Sequence, residues 1–277
     1  MTTLAHDVFE VEQVKPLIGA AITSNKETLL SGKYAKDIRA MLEDRGVIVF
    51  KKVDFTDEEQ VAFTKTLGNF VQEMTGDTFK ISMDKAINPV AEYTKGAFYW
   101  HIDGTMNPVP IRASMLTAKV LTQEGGDTEF ANTASSYADL DEATKAKIAD
   151  LRVVHSLWRS QLFHTPEPTM EQLERWQGHG EAELPLVCKH KSGRHSLVLG
   201  NTAHYVIGVD PKESYRILHG LRNFATSEPY MYTHKWHVGD TIIWDNRTSL
   251  HRATPYDPDA GRMMHRTILQ GTEAWEN

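Results

Sequence analysis

The sequence predicts a mostly β protein with flanking helices, built as a β-sandwich or a jelly roll. Short runs of β-branched and aromatic residues recur along the chain at roughly ten-residue spacing. Gly, Asp and Asn residues separate these runs as turns. Helical patterns are fewer and lie mainly before the strands or between groups of them, so we expect them to flank the sheets.

The first part of the chain alternates helices with one strand. Its pattern predicts a helix over residues 34–46, a buried strand over residues 47–50 and a helix over residues 56–68. Gly46 and Gly68 end the two helices, and Thr56 with the acids that follow it begins the second. The residues before this part, with Glu10 and Glu12 among them, are expected to form a solvated tail.

Most of the predicted strands follow a long irregular stretch, residues 71–99, which has weak periodicity and several turn residues. This stretch is either a binding loop or a solvated connection. The patterns after it predict strands over residues 112–121, 127–131, 151–158, 186–190, 195–199, 231–237, 241–244 and 262–270, and helices over residues 132–140, 141–148 and 211–224. Residues 159–184 have little strand character and interrupt the strands, which favours an insertion or lid over a linker between domains.

Composition and charge restrict the kind of protein. The chain has 277 residues, 40% hydrophobic and 24% charged, which suits one large β-rich domain or two small ones. Its net charge of −7 offers no basic surface for a nucleic acid. The lone cysteine, Cys188, excludes an internal disulfide and is typical of a reducing compartment. No stretch has the pattern of a signal peptide or of a membrane span, so the expected location is the cytoplasm.

The chemistry of the chain centres on residues 100–105, which read Trp-His-Ile-Asp-Gly-Thr. At the end of a strand, His101 and Asp103 would project from the same side, since side chains alternate with a period of two. An imidazole and a carboxylate side by side make two-thirds of a mononuclear iron site. A second, distant His would complete a facial triad that leaves three iron positions open. The tripeptide alone also occurs by chance, so an ordinary pair of polar residues is the alternative.

The third ligand candidate is His251, which follows a turn and begins or faces a new strand. In a jelly roll, residues far apart in sequence meet across the mouth of the barrel, so the distance from Asp103 is no obstacle. Further on, Arg262 and Arg266 would point to the same face of a strand, toward either the pocket or solvent. His265 would point to the opposite face. In a pocket, two guanidinium groups could clamp carboxylates with bidentate hydrogen bonds.

Together, these segments resemble the Fe(II)/2-oxoglutarate dioxygenases of the taurine dioxygenase family, and within it the phenoxyacetate dioxygenase branch. The segments occur in the family's order: residues 100–104, residues 125–130 (Gly-Gly-Asp-Thr-Glu-Phe), residues 244–247 (Trp-Asp-Asn-Arg), residues 250–252 (Leu-His-Arg), Arg262 and Arg266. The resemblance runs from about residue 45 to residue 270. It implies a double-stranded β-helix (a cupin-like jelly roll) in a single dioxygenase domain over residues 1–277. Residues 71–99 would form a substrate loop and residues 159–184 a lid or insertion.

The resemblance also implies roles for individual residues. Three residues would bind the iron: His101, Asp103 and His251. Arg262 would hold the distal carboxylate of 2-oxoglutarate, with the Thr128 hydroxyl assisting. Arg266 lies where relatives hold the anionic group of the substrate, and the alternative is that Arg266 only pairs with an acid of the protein. Trp244 and Asn246 are expected to support the strand end that carries His251.

The chain departs from taurine dioxygenase after residues 67–70 (Leu-Gly-Asn-Phe). Where that enzyme has a substrate-binding His, this sequence reads Val71-Gln72-Glu73, which argues against sulfonate handling of the taurine kind. Relatives that halogenate have a small residue in the place of Asp103, so a carboxylate there indicates hydroxylation. In the predicted lid, His164 and His179 are candidates for contact with substrate.

The predicted enzyme uses Fe(II), 2-oxoglutarate and O2 to hydroxylate a small organic acid. If that acid were an aryloxyalkanoate, hydroxylation next to the ether oxygen would cleave the ether. The alternative within the family is an oxidase or desaturase acting on a larger amino-acid-derived or lipid-like acid. A non-catalytic cupin-like binding module would not need the full set of residues, and a zinc hydrolase would have no use for Arg262. The expected partner is a small-molecule acid, without nucleic acid or membrane, and a homo-oligomer is left open.

Overall fold

Sixteen β-strands and nine α-helices form the part of the chain that the computed structural model describes, residues 8–73 and 76–276. The first seven residues of the predicted tail, residues 74 and 75 of the predicted loop, and residue 277 lie outside the described residues. The strands are β1 (Phe9–Gln13), β2 (Ala20–Ser24), β3 (Val47–Phe50), β4 (Phe70–Val71), β5 (Phe79–Ile81), β6 (Ile111–Val120), β7 (Thr128–Asn132), β8 (Arg152–Ser156), β9 (Glu181–Pro185), β10 (Val187–Lys189), β11 (His195–Leu197), β12 (Ala203–Val206), β13 (Met231–His234), β14 (Thr241–Asp245), β15 (Ser249–Ala253) and β16 (Met263–Gln270). The helices are α1 (Lys26–Leu30), α2 (Ala35–Arg45), α3 (Asp57–Leu67), α4 (Ala91–Thr94), α5 (Thr133–Ala138), α6 (Glu142–Ile148), α7 (Leu157–Gln161), α8 (Met170–Gln177) and α9 (Pro211–Ala225).

One large sheet contains the strands at the centre of the molecule. Its order is β1-β2-β3-β14-β6-β16-β4, and β5 also pairs with β16. β2 and β3 are parallel, whereas the other neighbours in this sheet are antiparallel. The four residues of β3 are fully buried, because both faces of the sheet are covered at this point.

A smaller sheet of order β13-β7-β15 packs against one face of the large sheet. Phe130 of this sheet belongs to the same buried cluster as Val47 and Trp244 of the large one. The other face of the large sheet is covered by the first three helices, through Ile38 of α2 and Phe63 of α3. This arrangement of facing sheets with helices outside agrees with the predicted fold class.

Local capping signals act as the sequence predicts. Gly46 ends α2 with a φ of +74°, a left-handed conformation that Gly adopts without strain. Thr56 and Glu59 form a reciprocal capping box at the start of α3. Asn132 and Asp210 accept backbone N–H groups at the starts of α5 and α9. These helix ends therefore form where the sequence places them.

The predicted solvated tail is wrong for the described residues from Phe9 onward. Residues 9–13 form β1, which pairs with β2 at the edge of the large sheet. The Phe9 ring stacks on Tyr34 with centroids 4.1 Å apart, whereas Glu10 and Glu12 are exposed. An edge strand with solvated acids lacks the apolar run by which a buried strand is recognised.

The two irregular stretches also contain more structure than predicted. The strand predicted over residues 151–158 ends at Ser156, because α7 begins at Leu157. The predicted insertion contains α8 and β9, and β9 pairs with β8. In the stretch 71–99, β5 pairs with β16 through Phe79 and Arg266. These short elements form by pairing with distant strands, so their own sequence shows little periodicity.

Two expectations drawn from composition can be compared with the structure. Cys188 is buried in β10, and burial raises the pKa of its thiol to about 11. Among the described residues, no helix combines the length and the hydropathy that crossing a bilayer requires.

Candidate active site

Two histidines and an aspartate meet inside the barrel of strands. His251 lies on β15, and His101 faces it as an isolated bridge in which each backbone N–H donates to the other carbonyl at 3.0 Å. Asp103 follows in a turn rather than on a strand, yet its Oδ1 lies 3.8 Å from His101 Nε2 and 3.7 Å from His251 Nε2. One ligand atom of each residue lies within 4.8 Å of the other two, a grouping that no other His, Cys, Asp or Glu residues in the described chain share.

Neighbouring groups orient the two imidazoles. His101 Nδ1 donates to the Tyr99 carbonyl at 2.9 Å, which leaves the Nε2 lone pair facing Asp103. The His251 ring packs against Trp244 with centroids 4.6 Å apart, and its Nδ1 is buried without a partner among the described residues. Burial lowers the pKa of both histidines, and their proximity lowers that of His251 further. Both imidazoles are therefore neutral at pH 7, and a neutral imidazole is the form that binds a metal.

A buried chain of hydrogen bonds positions Asp103. Ser114 Oγ of β6 donates to Asp103 Oδ2 at 2.6 Å, and Asn246 Nδ2 donates to Ser114 Oγ at 2.9 Å. Asn246 Oδ1 accepts from Trp244 Nε1 at 3.0 Å and from the backbone N–H of Asp103 at 3.3 Å. Trp244 and Asn246 thus support the aspartate as well as the strand end near His251. Ser114 was not predicted, because only the pairing of β6 with β14 brings it here.

Asp103 is ionised and provides the third candidate metal ligand. Burial alone would raise the pKa of this carboxyl, but Arg266 holds the pKa well below its usual range, and the Ser114 hydrogen bond adds to this effect. The site therefore offers two neutral imidazoles and one carboxylate. This set fits Fe(II), because it cancels one of the two metal charges and leaves coordination positions open.

Arg262, which directly precedes β16, is 5% exposed, and only some of its N–H groups have hydrogen-bond partners. Its Nη2 donates to the Gly126 carbonyl at 2.9 Å, and its guanidinium lies 4.9 Å from the centroid of the Tyr256 ring. Its Nε is buried without a partner, and no described carboxylate forms an ion pair with it. Burial lowers the pKa of Arg262, although Tyr256 and Asp127 oppose this effect. A buried guanidinium with unused donors is suited to an anion.

The turn before β7 makes room for this arginine. Gly126 has a φ of +75°, and a Cβ at this position would lie 2.9 Å from Arg262 Nε. The glycine is therefore required both by its backbone conformation and by the close approach of Arg262. Thr128 lines the same cavity, and its Oγ1 accepts from Trp236 Nε1 at 2.9 Å. The Thr128 hydroxyl hydrogen is thus left available for donation to a ligand.

Arg266, on β16, faces the same cavity and is already paired. Its Nη2 lies 2.5 Å from Glu73 Oε1, its Nε lies 3.1 Å from Glu73 Oε2, and its Nη1 lies 3.5 Å from Asp103 Oδ1. Burial alone would lower the pKa of Arg266, but Asp103 and Glu73 raise it. The predicted alternative, a pair with an acid of the protein, is present in the structure. His265 points the other way, with Nδ1 2.6 Å from Asp57 Oδ1, as strand alternation predicts.

The predicted site residues line one cavity of about 650 Å³: His101, Asp103, Thr128, His251, Arg262 and Arg266. Both irregular stretches contribute to its wall, the first through residues that include Phe79 and Tyr93, the second through His179. His164 instead bonds to Gln161, which lines the cavity, through its Nε2 at 3.1 Å from Oε1. A cavity of this size suits a small-molecule ligand.

The fold and this site define the class of protein as a jelly-roll oxygenase with one metal and an anionic co-substrate. Residues 10–268 match the family model described as "Taurine catabolism dioxygenase TauD, TfdA family", and the chain belongs to this family. The chain is 33% identical over 280 residues to an (S)-phenoxypropionate/alpha-ketoglutarate-dioxygenase of Sphingobium herbicidovorans, with 97% of each chain covered. It is 30% identical over 280 residues to an alpha-ketoglutarate-dependent 2,4-dichlorophenoxyacetate dioxygenase of a Burkholderia species, with 94% of each covered.

The structural comparison agrees with the family. The crystal structure of AAD-2 in complex with Mn(II) and N-oxalylglycine matches with a TM-score of 0.85 and 29% identity, over 97% of this chain and 99% of that chain. The jelly-roll fold and the family resemblance predicted from the sequence are thus confirmed. The protein is an Fe(II)- and 2-oxoglutarate-dependent dioxygenase that uses O2 and acts on a small molecule.

Proposed function

We propose that this dioxygenase hydroxylates a small carboxylic acid of the aryloxyalkanoate type at the carbon between the carboxylate and the ether oxygen. The observation that carries the proposal is the position of Arg266, which faces the cavity with Nη1 3.5 Å from the candidate metal ligand Asp103. A carboxylate bound there would place the adjacent carbon next to the metal. The relatives named for phenoxypropionate and 2,4-dichlorophenoxyacetate support this substrate class.

In this proposal the iron is held by the triad at one end of the cavity: His101, Asp103 and His251. The Tyr99 carbonyl fixes the tautomer of His101, and Ser114 holds the second oxygen of Asp103. When bound, Fe(II) supplies the activation of O2 that lets a substrate hydrogen be removed. The residues of the chain hold the donors in place and keep the imidazoles neutral.

Arg262 and Thr128 bind the distal carboxylate of 2-oxoglutarate in this proposal. The unused donors of the buried guanidinium and the Thr128 hydroxyl face the same cavity. A charge-assisted, bidentate contact of this kind orients the co-substrate so that its keto-acid end reaches the metal.

The aromatic part of the substrate would lie against apolar residues of the cavity wall. These residues come from the predicted loop and from the central strand β6: Phe79, Ile81, Val90, Tyr93 and Leu116. We also propose that residues 71–99 act as a substrate loop and residues 159–184 as a lid, within one dioxygenase domain. The lone buried Cys188 favours a cytoplasmic location.

The proposed reaction balances as follows. One oxygen atom of O2 goes to 2-oxoglutarate, which loses CO2 and becomes succinate. The other becomes a hydroxyl on the carbon next to the ether oxygen. The product is a hemiacetal, which breaks its carbon–oxygen bond to release a phenol and a 2-oxo acid.

The experiment is a substrate panel assayed for two products. Phenoxyacetate, both enantiomers of 2-phenoxypropionate, taurine and a long-chain acid are incubated separately with Fe(II), 2-oxoglutarate and the enzyme. We expect an aryloxyalkanoate to stimulate succinate formation and to release an equal amount of phenol. Stimulation by taurine or by the long-chain acid alone would overturn the proposal.

A further inference from the structure

The guanidinium proposed to receive the substrate carboxylate already holds a carboxylate of the protein. Glu73 engages Arg266 through two hydrogen bonds, at 2.5 and 3.1 Å, the geometry of a bidentate pair. The side chains of Arg266 and Glu73 are only 19% and 16% exposed, so the pair is shielded from solvent. Among the described residues, Arg266 is the sole cation paired with Glu73. The edge of the guanidinium formed by Nε and Nη2 is therefore occupied, and Nη1 lies beside Asp103.

A substrate carboxylate at this end of the cavity would compete with Glu73 for Arg266. The positive charge of Arg266 faces Glu73 and, at 3.5 Å, also Asp103. A substrate acid at the same guanidinium would bring a third negative group into a partly buried space. Like charges at such distances repel strongly in a medium of low dielectric. An acid can therefore bind in full contact with Arg266 only if Glu73 leaves.

Glu73 is held by less regular secondary structure than Arg266. Glu73 lies after the two-residue strand β4, and its local contact is an isolated bridge to Gly76. The Gly76 N–H donates to the Glu73 carbonyl at 3.3 Å, and Gly76 has open space on its Cβ side. Arg266, in contrast, lies within the long strand β16, which pairs with β6 along its length. The acid, and not the arginine, is thus the partner that can turn away.

We propose that Glu73 is a specificity-determining residue that occupies Arg266 until the carboxylate of an acid substrate displaces it. The inference rests on the proposed function, since it takes Arg266 as the anion-binding group. One carboxylate replaces another on the same guanidinium, so only acids that can make the bidentate contact gain from the exchange. A neutral analogue does not displace Glu73, so the Glu73–Arg266 ion pair stays intact. The displaced side chain turns toward solvent, where water satisfies it.

The test measures equilibrium binding rather than turnover. Phenoxyacetate, phenoxyacetamide and formate are titrated by calorimetry into wild-type enzyme and Glu73→Gln, each loaded with Fe(II) and 2-oxoglutarate without O2. Because the variant removes the competing charge, we expect it to bind phenoxyacetate about tenfold more tightly. Its affinity for the neutral amide should be unchanged. The affinity for phenoxyacetate should also depend more steeply on salt in the variant, since Arg266 then carries an uncompensated charge.

Two control proteins separate displacement from other effects. Glu142→Gln removes a carboxylate of α6 that pairs with Lys145 at 2.9 Å and does not line the cavity, so it should leave acid binding unchanged. In the double variant Glu73→Gln/Arg266→Gln the gain in affinity should disappear. Equal or weaker binding of phenoxyacetate by Glu73→Gln would overturn the proposal, because Glu73 would then only hold Arg266 in place.

Formate distinguishes failure of this inference from failure of the proposed function. It is the smallest carboxylate and needs no match to the rest of the cavity. If phenoxyacetate binds neither protein, the proposed substrate class fails. Tighter formate binding by Glu73→Gln would then still support the displacement, and equal formate binding by the two proteins would overturn it.

Discussion

Arg262, just before β16, and Arg266, on β16, carry the same functional group in opposite pairing states. Arg262 and Arg266 lie four residues apart and face one cavity. Arg262 donates to the Gly126 carbonyl and contacts Tyr256, but its buried Nε has no partner among the described residues. Arg266 is held by both oxygens of Glu73 and approaches Asp103. One end of the cavity is thus open to an anion, whereas the other is neutralised by the protein itself.

In the proposed function, this difference separates the co-substrate, which Arg262 would bind, from the substrate, which Arg266 would bind. A buried cation without a full set of partners destabilises the folded protein, and a bound carboxylate stabilises it. The co-substrate 2-oxoglutarate brings such a carboxylate in every turnover. A cation that is already paired gains little from an arbitrary anion. As the proposed substrate-binding group, Arg266 would therefore discriminate among substrates, because only some of them could replace its partner. We expect substitutions at the metal and co-substrate end to cause larger losses than those at Arg266.

The largest effect should follow loss of an imidazole at the metal end. In His101→Ala or His251→Ala, one of three donors is missing from a site whose remaining groups cannot move to replace it. We expect turnover to fall below detection and Fe(II) affinity to fall at least about 100-fold, while the circular dichroism spectrum is unchanged. Anaerobic Fe(II) titration measures this, with His237→Ala on the surface as the control. Normal iron binding by either variant would disprove the triad.

The second-largest effect should follow substitution of Arg262, the arginine without a carboxylate partner. Arg262→Ala removes the buried guanidinium and leaves the 2-oxoglutarate carboxylate without its charged partner. We expect the apparent KM for 2-oxoglutarate to rise at least about tenfold, because a lost contact of this kind costs roughly 2–5 kcal/mol. Thr128→Ala, which removes one neutral donor, should raise it less. An unchanged KM for 2-oxoglutarate in Arg262→Ala would show that Arg262 does not bind the co-substrate.

A smaller loss should follow removal of the hydroxyl that holds Asp103. In Ser114→Ala, Asp103 Oδ2 loses its 2.6 Å hydrogen bond and Asn246 loses its acceptor. We expect Fe(II) affinity to fall about tenfold, at the lower end of the range for groups that support a metal ligand. The same titration, with Ser135→Ala as the matched control, measures it. If affinity is unchanged, the turn around Asp103 positions the carboxylate without Ser114.

The smallest effect should appear at the paired arginine. Arg266→Lys keeps the charge but cannot make two parallel hydrogen bonds. We expect the KM for an acidic substrate to rise about fivefold, with the KM for 2-oxoglutarate unchanged. The corresponding amide should be a poor substrate of the wild-type enzyme. Equal turnover of acid and amide would show that Arg266 does not select the substrate anion and serves only as the partner of Glu73.

The sequence by itself determined the features that depend on neighbouring residues. Helix ends follow from local caps, as Thr56 and Gly46 show, because a cap acts within one turn of the chain. The alternation along β16 that turns His265 and Arg266 to opposite faces is equally local. The ordered segments of the family added the candidate metal and co-substrate residues, including His251, and the structure brings these residues into one cavity.

Only the tertiary structure decided which distant groups meet. Ser114 reaches Asp103 because β6 pairs with β14 in one register, and no pattern around Ser114 indicates that contact. Glu73 stood out in the sequence only as a departure from taurine dioxygenase, while its partner Arg266 lies 193 residues further along the chain. Local patterns report the period of an element and its ends, but not the register in which it pairs. For this reason the sequence could point to the candidate metal ligands, which a family pattern marks, but not to the pairing of Glu73 with Arg266.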